Sequence, residues 1–134
     1  MAAELGGKTA LITGAGRGIG AAIATGLARA GADVVLIART AEQLDETADT
    51  IRSTVPGSNV RAVHVDLTDQ ERRAVALHTL QSAGRIDILI NNAATVEPLG
   101  ATLQIAPEAV RAAFEINVVV PFVVTAALVP AMVD

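Results

Sequence analysis

Residues Thr13 to Gly20 read TGAGRGIG, directly after the apolar run Thr9–Ile12 and directly before an alanine-rich helical pattern. Gly14, Gly18 and Gly20 follow the spacing GxxxGxG rather than GxGxxG, with Gly16 between them. Glycine lets a backbone turn tightly and approach a pyrophosphate. The helix that follows aims unpaired N–H groups and its positive dipole end at the anion. The dipole contributes only about 0.3–1 kcal/mol per charge, so several backbone donors have to act together. A glycine-rich strand-to-helix turn can also serve close packing alone. The strand before it and the helix after it favour a dinucleotide phosphate cradle.

Working outward, apolar runs suited to buried parallel strands recur at Thr9–Thr13, Val34–Ala38, Val60–Val65 and Ile86–Asn91, with helical patterns between them. The alternation predicts an α/β fold, a doubly wound parallel sheet of strand order 3-2-1-4 with strand four as an open apolar edge. The first helix is expected over Gly18–Ala30, with Ile19, Ile23 and Leu27 on one face and Gly31 as its stop. Thr40 with Gln43, and Thr68 with Glu71, read as capping boxes that open the second and third helices. Leu44, Ala48 and Ile51 continue the second as far as Pro56-Gly57, and Val75 and Leu80 continue the third towards Gly84. A last helical region begins at Pro107 and is expected to kink near Pro121.

The chain has 134 residues, 51% hydrophobic and 18% charged, the size and composition of one core-forming domain over 1–134. Phe114 and Phe122 are its only aromatic residues and it has 27 alanines, so the core has to be small aliphatic side chains in close contact. With no cysteine and two isolated histidines, His64 and His78, no metal site is expected. A net charge of -4 argues against nucleic acid as a partner. The N-terminal MAAELGGK has no leader pattern, which reads as cytoplasmic. Ile116–Val133 is 18 residues without a charge, the length of a membrane span. Asn117, Pro121, Thr125 and Pro130 interrupt it and no basic or aromatic anchors flank it, so a buried or subunit-facing helix is the expected reading and no membrane is predicted.

The end of the second strand bears on the cofactor. An NAD site places an acidic residue there for the ribose hydroxyls, but the sequence runs Ile37-Ala38-Arg39-Thr40. Arg39 is placed to meet a 2′-phosphate, with Arg17 as a second cation, and a charge-assisted hydrogen bond contributes about 1.5–3 kcal/mol. NADP is therefore expected over NAD, although Arg39 could equally be a solvated residue at a helix start. Asp66-Leu67 ends strand three and Asn91-Asn92-Ala93-Ala94 ends strand four, both at the carboxyl edge where open α/β sheets bind ligands. Singly, Asp66 and the asparagines read as turn formers just as well. With the glycine loop they describe one crevice.

TGAGRGIG, Asp66-Leu67, the NNAA run Asn91–Ala94 and Asn117 in FEINVVVPF, in this order, resemble the short-chain dehydrogenase/reductase family across nearly the whole chain. The resemblance implies a Rossmann-type domain and an NAD(P)-dependent oxidoreductase that passes hydride between nicotinamide and a small-molecule carbonyl or alcohol. Cofactor contacts are implied for Gly14, Gly16, Arg17, Gly18, Ile19, Gly20 and Arg39. Asp66 and Leu67 would hold the adenine, and Asn92, Ala93 and Ala94 would line the ribose. Asn117 is implied as the catalytic group that helps position a water in the proton relay; without the resemblance it reads as a polar residue at a helix kink. Ala94 departs from the family, which usually has glycine there.

A larger departure is the absence of any tyrosine, with Lys8 the only lysine. The family's serine and YxxxK motif lie downstream of the helix in which this sequence ends, and Ser53, Ser58 and Ser82 fall too early to stand for that serine. The expectation is a sheet truncated before its later strands, a cofactor-binding portion that is inactive alone because positioned acid catalysis is worth roughly 10²–10⁴-fold. In the family the helix containing Asn117 to Met132 commonly packs on its counterpart, implying a homo-oligomer. The rival expectation is a non-catalytic nucleotide-binding or assembly half-domain completed by a partner chain.

Overall fold

Alternation along the two central strands sets the layers. In β1 (Thr9–Thr13), Ala10 and Ile12 point to one side of the sheet and Leu11 to the other; in β2 (Asp33–Ala38), Val34 and Leu36 oppose Val35 and Ile37 in the same way. Each set needs its own cover, so helices occupy both faces. The computed structural model describes residues 3–133. Ala24 and Ala28 of α1 (Gly18–Arg29) and Leu44, Ala48 and Ile51 of α2 (Ala41–Thr54) close one core. Leu77 and Leu80 of α3 (Gln70–Ala83) join Val120, Val124 and Leu128 of the C-terminal helical region to close the other. Leu11, Ile12, Leu36, Ile37, Leu44 and Ile51 are almost wholly buried, each contributing about 1.5–3 kcal/mol of transfer free energy.

With β3 (Val60–His64) and β4 (Ile88–Ile90), the sheet is parallel and ordered β3-β2-β1-β4. Leu11 pairs with Val35 on one side and Leu89 on the other, and Val35 with Arg61. Fold class and strand order are as expected, and β4 is an edge. It is shorter than its apolar run: only Ile88–Ile90 pair, because the chain leaves the sheet at Asn91. Asp87 fixes its start, accepting the Thr9 N–H at 2.9 Å while Arg85 and Lys8 flank it at 3.0 and 3.7 Å.

Two helix expectations change. Ile19 does not face the core: it is 74% exposed at the head of α1, and the buried stripe is Gly20, Ala24 and Ala28. Those small residues let α1 lie close on the sheet, while Ile23 and Leu27 pack at its edge. Val75 is likewise 68% exposed, because Arg73, Leu77 and Leu80 form the inner face of α3.

After β4 the chain crosses a loop with one 3₁₀ turn at Thr102–Gln104 and enters α4 (Pro107–Phe114). A π-helical turn over Glu115–Val119 leads into α5 (Val120–Leu128). The irregularity expected near Pro121 thus takes the form of a π turn that ends two residues before it. Pro121 has no N–H to donate to the Asn117 carbonyl four residues back, and the Val120 N–H instead reaches five back to Glu115. By length and composition Pro107–Ala131 could cross a membrane. One side of α5 is committed to the second core, whereas Phe114, Val118 and Phe122 are exposed.

Candidate functional site

Thr13, at the carboxyl end of β1, is buried and its hydroxyl organises the crevice. Its Oγ1 accepts the Asn92 and Ala93 N–H groups, each at 3.0 Å. The Asn92 side-chain amide donates back to the Thr13 carbonyl at 3.2 Å and to the Gly14 carbonyl at 3.1 Å. The loops after β1 and β4, distant in sequence, are thereby one hydrogen-bonded unit. Gly14 makes this possible: at φ +64 its backbone sits where a side chain is strained, and a Cβ would come within 2.9 Å of Ala93 Cα and Asn92 Nδ2. Gly20 is tighter still, since its Cβ would overlap the Gly14 carbonyl and lie 2.5 Å from Asn92 Nδ2. These two glycines therefore do pack loop against helix. The alternative reading of the motif as a packing device describes part of what it does.

The loop is held inward at Ala15 and Gly16 and turns outward after them. The Ala15 N–H bonds the Ile37 carbonyl at 3.0 Å, and buried Thr47 of α2 donates its hydroxyl to the Gly16 carbonyl at 3.1 Å. Arg17, Gly18 and Ile19 are exposed. Arg17 stands at the N-cap of α1 without a side-chain cap bond, and the first turn has no acidic residue. At the leading N–H groups of α1, where Gly18 and Ile19 are exposed, neither a side-chain cap nor a carboxylate thus competes for an anion.

Beside this turn lies the end of β2. Arg39 is exposed, its carbonyl bonded to Nε2 of His64 at 2.6 Å. Among the described residues the ion pairs use Lys8, Arg52, Arg72, Arg73, Arg85 and Arg111. Arg17 and Arg39 belong to none of them, so both remain available to a phosphate.

After β3, Asp66 forms an Asx turn: its Oδ1 accepts the Thr68 N–H at 2.9 Å and the Thr68 hydroxyl at 2.7 Å. The Thr68 hydroxyl bond, then its backbone N–H, and then Arg39 and Arg72 hold the Asp66 carboxyl below its ordinary value against the opposing effect of burial. The expected capping box at Thr68 does not form, since that hydroxyl is spent on Asp66. Asp69 caps α3 instead, accepting the Arg72 N–H at 3.0 Å. The Leu67 side chain is a core group, and its carbonyl accepts a 2.9 Å bond from Nη1 of Arg73.

Asn117 lies in the π turn, and both polar atoms of its side chain bond Thr95. Oδ1 accepts the Thr95 N–H at 2.8 Å and Nδ2 donates to the Thr95 carbonyl at 2.9 Å. That clamp anchors the loop directly after Ala93 and exposed Ala94. Asn91 donates to the Thr125 hydroxyl of α5 at 3.0 Å. A groove of about 350 Å³ adjoins the glycine loop between α1 and α2, lined by Gly16, Arg17, Thr25, Glu46 and Thr47. Another depression, of about 260 Å³, lies at the opposite ends of the strands around Thr9, Asp33, Asn59 and Arg85, away from these loops.

The fold therefore brings the glycine loop, Arg39, Asp66-Leu67 and Asn92–Ala94 to one edge of the sheet, with Asn117 tied to the same edge through Thr95. Sequence reading gave no role in the crevice to Thr13, Thr47, His64 or Arg73. Thr13 stood inside the quoted motif but read as a strand terminus, and the other three act through partners remote in sequence.

The family model described as short chain dehydrogenase matches residues 8–134. The chain belongs to the short-chain dehydrogenase family. L-xylulose reductase of Mus musculus is 43% identical over 113 residues, which is 84% of this chain and 42% of that protein. An uncharacterized oxidoreductase of Mycobacterium tuberculosis is 38% identical over 128 residues, 95% of this chain and 48% of the relative. Among solved structures, a metagenomic short-chain oxidoreductase in complex with NADP superposes with a TM-score of 0.89 at 35% identity, over 96% of this chain and 58% of that one. L-sorbose reductase from Gluconobacter frateurii, complexed with NADPH and L-sorbose, gives 0.88 at 35% identity over 98% and 50%. The chain thus spans about half the length of the relatives it matches.

Proposed function

We propose that this chain is the cofactor-binding portion of an NADP-dependent oxidoreductase that interconverts a carbonyl and an alcohol, with NAD a weaker cofactor. One observation carries the reading: the uncapped first turn of α1 rises from a loop closed by Gly14 and Gly20, flanked by two arginines that belong to no ion pair among the described residues. Gly14, Gly16 and Gly20 close the loop against its neighbours, and Gly18, with nothing within 4 Å of its missing Cβ, and exposed Ile19 present backbone and open space to a diphosphate. Arg39 and Arg17 meet a 2′-phosphate. Asp66 and Leu67 border the adenine, and Asn92, Ala93 and Ala94 the adjoining ribose. The neighbours solved with NADP or NADPH support this assignment. Similarity to reductases named for L-xylulose and L-sorbose supports carbonyl–alcohol chemistry on a small molecule.

When bound, the dinucleotide supplies or takes up hydride; the chain's own residues orient it and keep its phosphates paired. The Asn117 side chain is committed to Thr95, so its part in a proton relay falls to its backbone carbonyl, which Pro121 leaves without the usual helical donor. With no tyrosine in its 134 residues the chain by itself holds cofactor without turning it over. The exposed Phe114, Val118 and Phe122 support pairing with a second copy.

The test is an NADPH titration followed by cofactor fluorescence. Wild type is expected to bind NADPH more tightly than NADH, and Arg39→Asp to lose roughly tenfold or more for NADPH alone, as befits one charge-assisted bond. Equal NADPH affinity in the two proteins would remove the 2′-phosphate assignment.

A further inference from the structure

Arg73 is the one charged residue in the buried class among the described residues. From α3 its Nη1 donates to the Leu67 carbonyl at 2.9 Å and to Oε1 of Glu115 at 3.0 Å. The side chains are 8% and 26% exposed. Leu67 lies in the middle of the adenine-side loop between β3 and α3. Glu115 opens the π turn two residues before Asn117, whose amide grips Thr95 in the loop after β4. A single nitrogen thus touches one cofactor-facing loop directly and reaches the other through Glu115, the turn and Asn117.

Stability alone does not account for this placement. A buried ion pair carries a desolvation penalty that its mutual attraction often fails to exceed, and apolar residues of similar volume commonly serve at least as well. Arg73 also answers the Leu67 carbonyl, which an apolar substitute would leave without that donor. Every link in the chain Leu67, Arg73, Glu115, Asn117, Thr95 is a bonded contact or a stretch of continuous helical backbone, a contiguous network of the kind that can carry coupling between two sites.

We infer that Arg73, oriented by Glu115, is a positioning residue that locks the Asp66-Leu67 loop and the Asn117–Thr95 clamp into one arrangement, the arrangement in which the crevice takes up its dinucleotide. This rests on the NADP reading above. The role is structural in means and functional in effect: Arg73 touches no cofactor atom and acts through the two loops.

The experiment compares wild type with Arg73→Lys, Arg73→Met and the double variant Arg73→Met/Glu115→Leu, using the chain without ligand and then with NADPH. The double variant leaves no unpaired buried charge, so it keeps the fold testable if Arg73→Met alone unfolds. Amide hydrogen exchange is read at Thr95, whose N–H is held by Asn117, and at Thr68, held by Asp66. Ala15, bonded to Ile37, is the control. In the double variant Thr95 and Thr68 are expected to exchange roughly tenfold faster with Ala15 unchanged, NADPH affinity to fall by a similar factor, and Arg73→Lys to recover part of both. Unchanged protection at Thr95, or equal acceleration at all three amides, overturns the inference, the second by showing only a general loss of stability. NADPH affinity equal to wild type in the double variant overturns the positioning role alone, whereas no binding by wild type overturns the NADP reading and this role with it.

Discussion

At the scale of single residues, glycines in one helix are not alike. A methyl group at Gly20 would overlap the Gly14 carbonyl and crowd Asn92, both fixed by the hydrogen bonds that join the β1 and β4 loops. Gly26, in the middle of α1 with nothing within 4 Å of its missing Cβ, has no such neighbour. Gly20→Ala is expected to destabilise the chain by about 1–3 kcal/mol and Gly26→Ala to stabilise it by about 0.5–1 kcal/mol, both read by urea denaturation. The Asp66 carboxyl supplies a pH dependence with a definite sign. The Thr68 hydroxyl foremost, helped by the Thr68 N–H and by Arg39 and Arg72, places its folded value below the ordinary 3.8. The folded state therefore binds that proton less readily than the unfolded chain. Its stabilisation is complete above the unfolded value and disappears as pH falls through the folded one. Asp87, bonded first by the Thr9 N–H and then attracted by Lys8 and Arg85, carries the same sign. Wild type should lose melting temperature more steeply than Asp66→Asn below about pH 4; the amplitude is small because Asp66 is exposed, and parallel curves would show that the Asx turn carries none of it.

At the scale of elements, the interesting differences are at helix starts. Thr40 occupies the N-cap of α2 without a side-chain bond, whereas Asp69 caps α3 by accepting the Arg72 N–H. Asp69→Ala should therefore cost about 1 kcal/mol and Thr40→Ala distinctly less, measured as shifts in denaturation midpoint; equal losses would mean that neither bond decides where its helix begins. Both starts carry the motif of Thr followed three residues later by Gln or Glu. That pattern locates a boundary to within a residue without naming the side chain that closes it, because Asp66 competes for the Thr68 hydroxyl. The last helical region shows the same limit. Pro121 announces an irregularity near itself without showing that it is a π turn over Glu115–Val119, which also places Asn117 against Thr95.

For the whole molecule, the unpaired surface matters most. Phe114, Val118 and Phe122 stand 62%, 55% and 73% exposed while the opposite side of α5 fills the second core. Under the pairing proposed above, the chain should sediment as more than a monomer. Phe122→Glu should weaken a symmetric dimer by roughly 100-fold or more, since each copy loses about 1.5–3 kcal/mol of apolar burial. A wild-type chain that sediments as a single copy at every accessible concentration would remove that pairing.

Much of this protein was legible in its linear order. Apolar runs alternating with helical patterns determined the layers, the parallel sheet and the order 3-2-1-4, because strand burial and right-handed crossovers are local rules applied in succession. The glycine loop, Arg39, Asp66-Leu67 and the Asn91–Ala94 run could be assigned to one edge for the same reason: each directly follows a strand of a parallel sheet. Tertiary structure alone decided what those residues touch. Thr13 as the junction of two loops, Asn117 as a clamp on Thr95, Ile19 turned to solvent and Arg73 bonded between Leu67 and Glu115 all depend on contacts between segments brought together by folding. A sequence shows which groups are available and at what spacing; the partner of a buried polar group is chosen by whichever acceptor or donor packing leaves within reach.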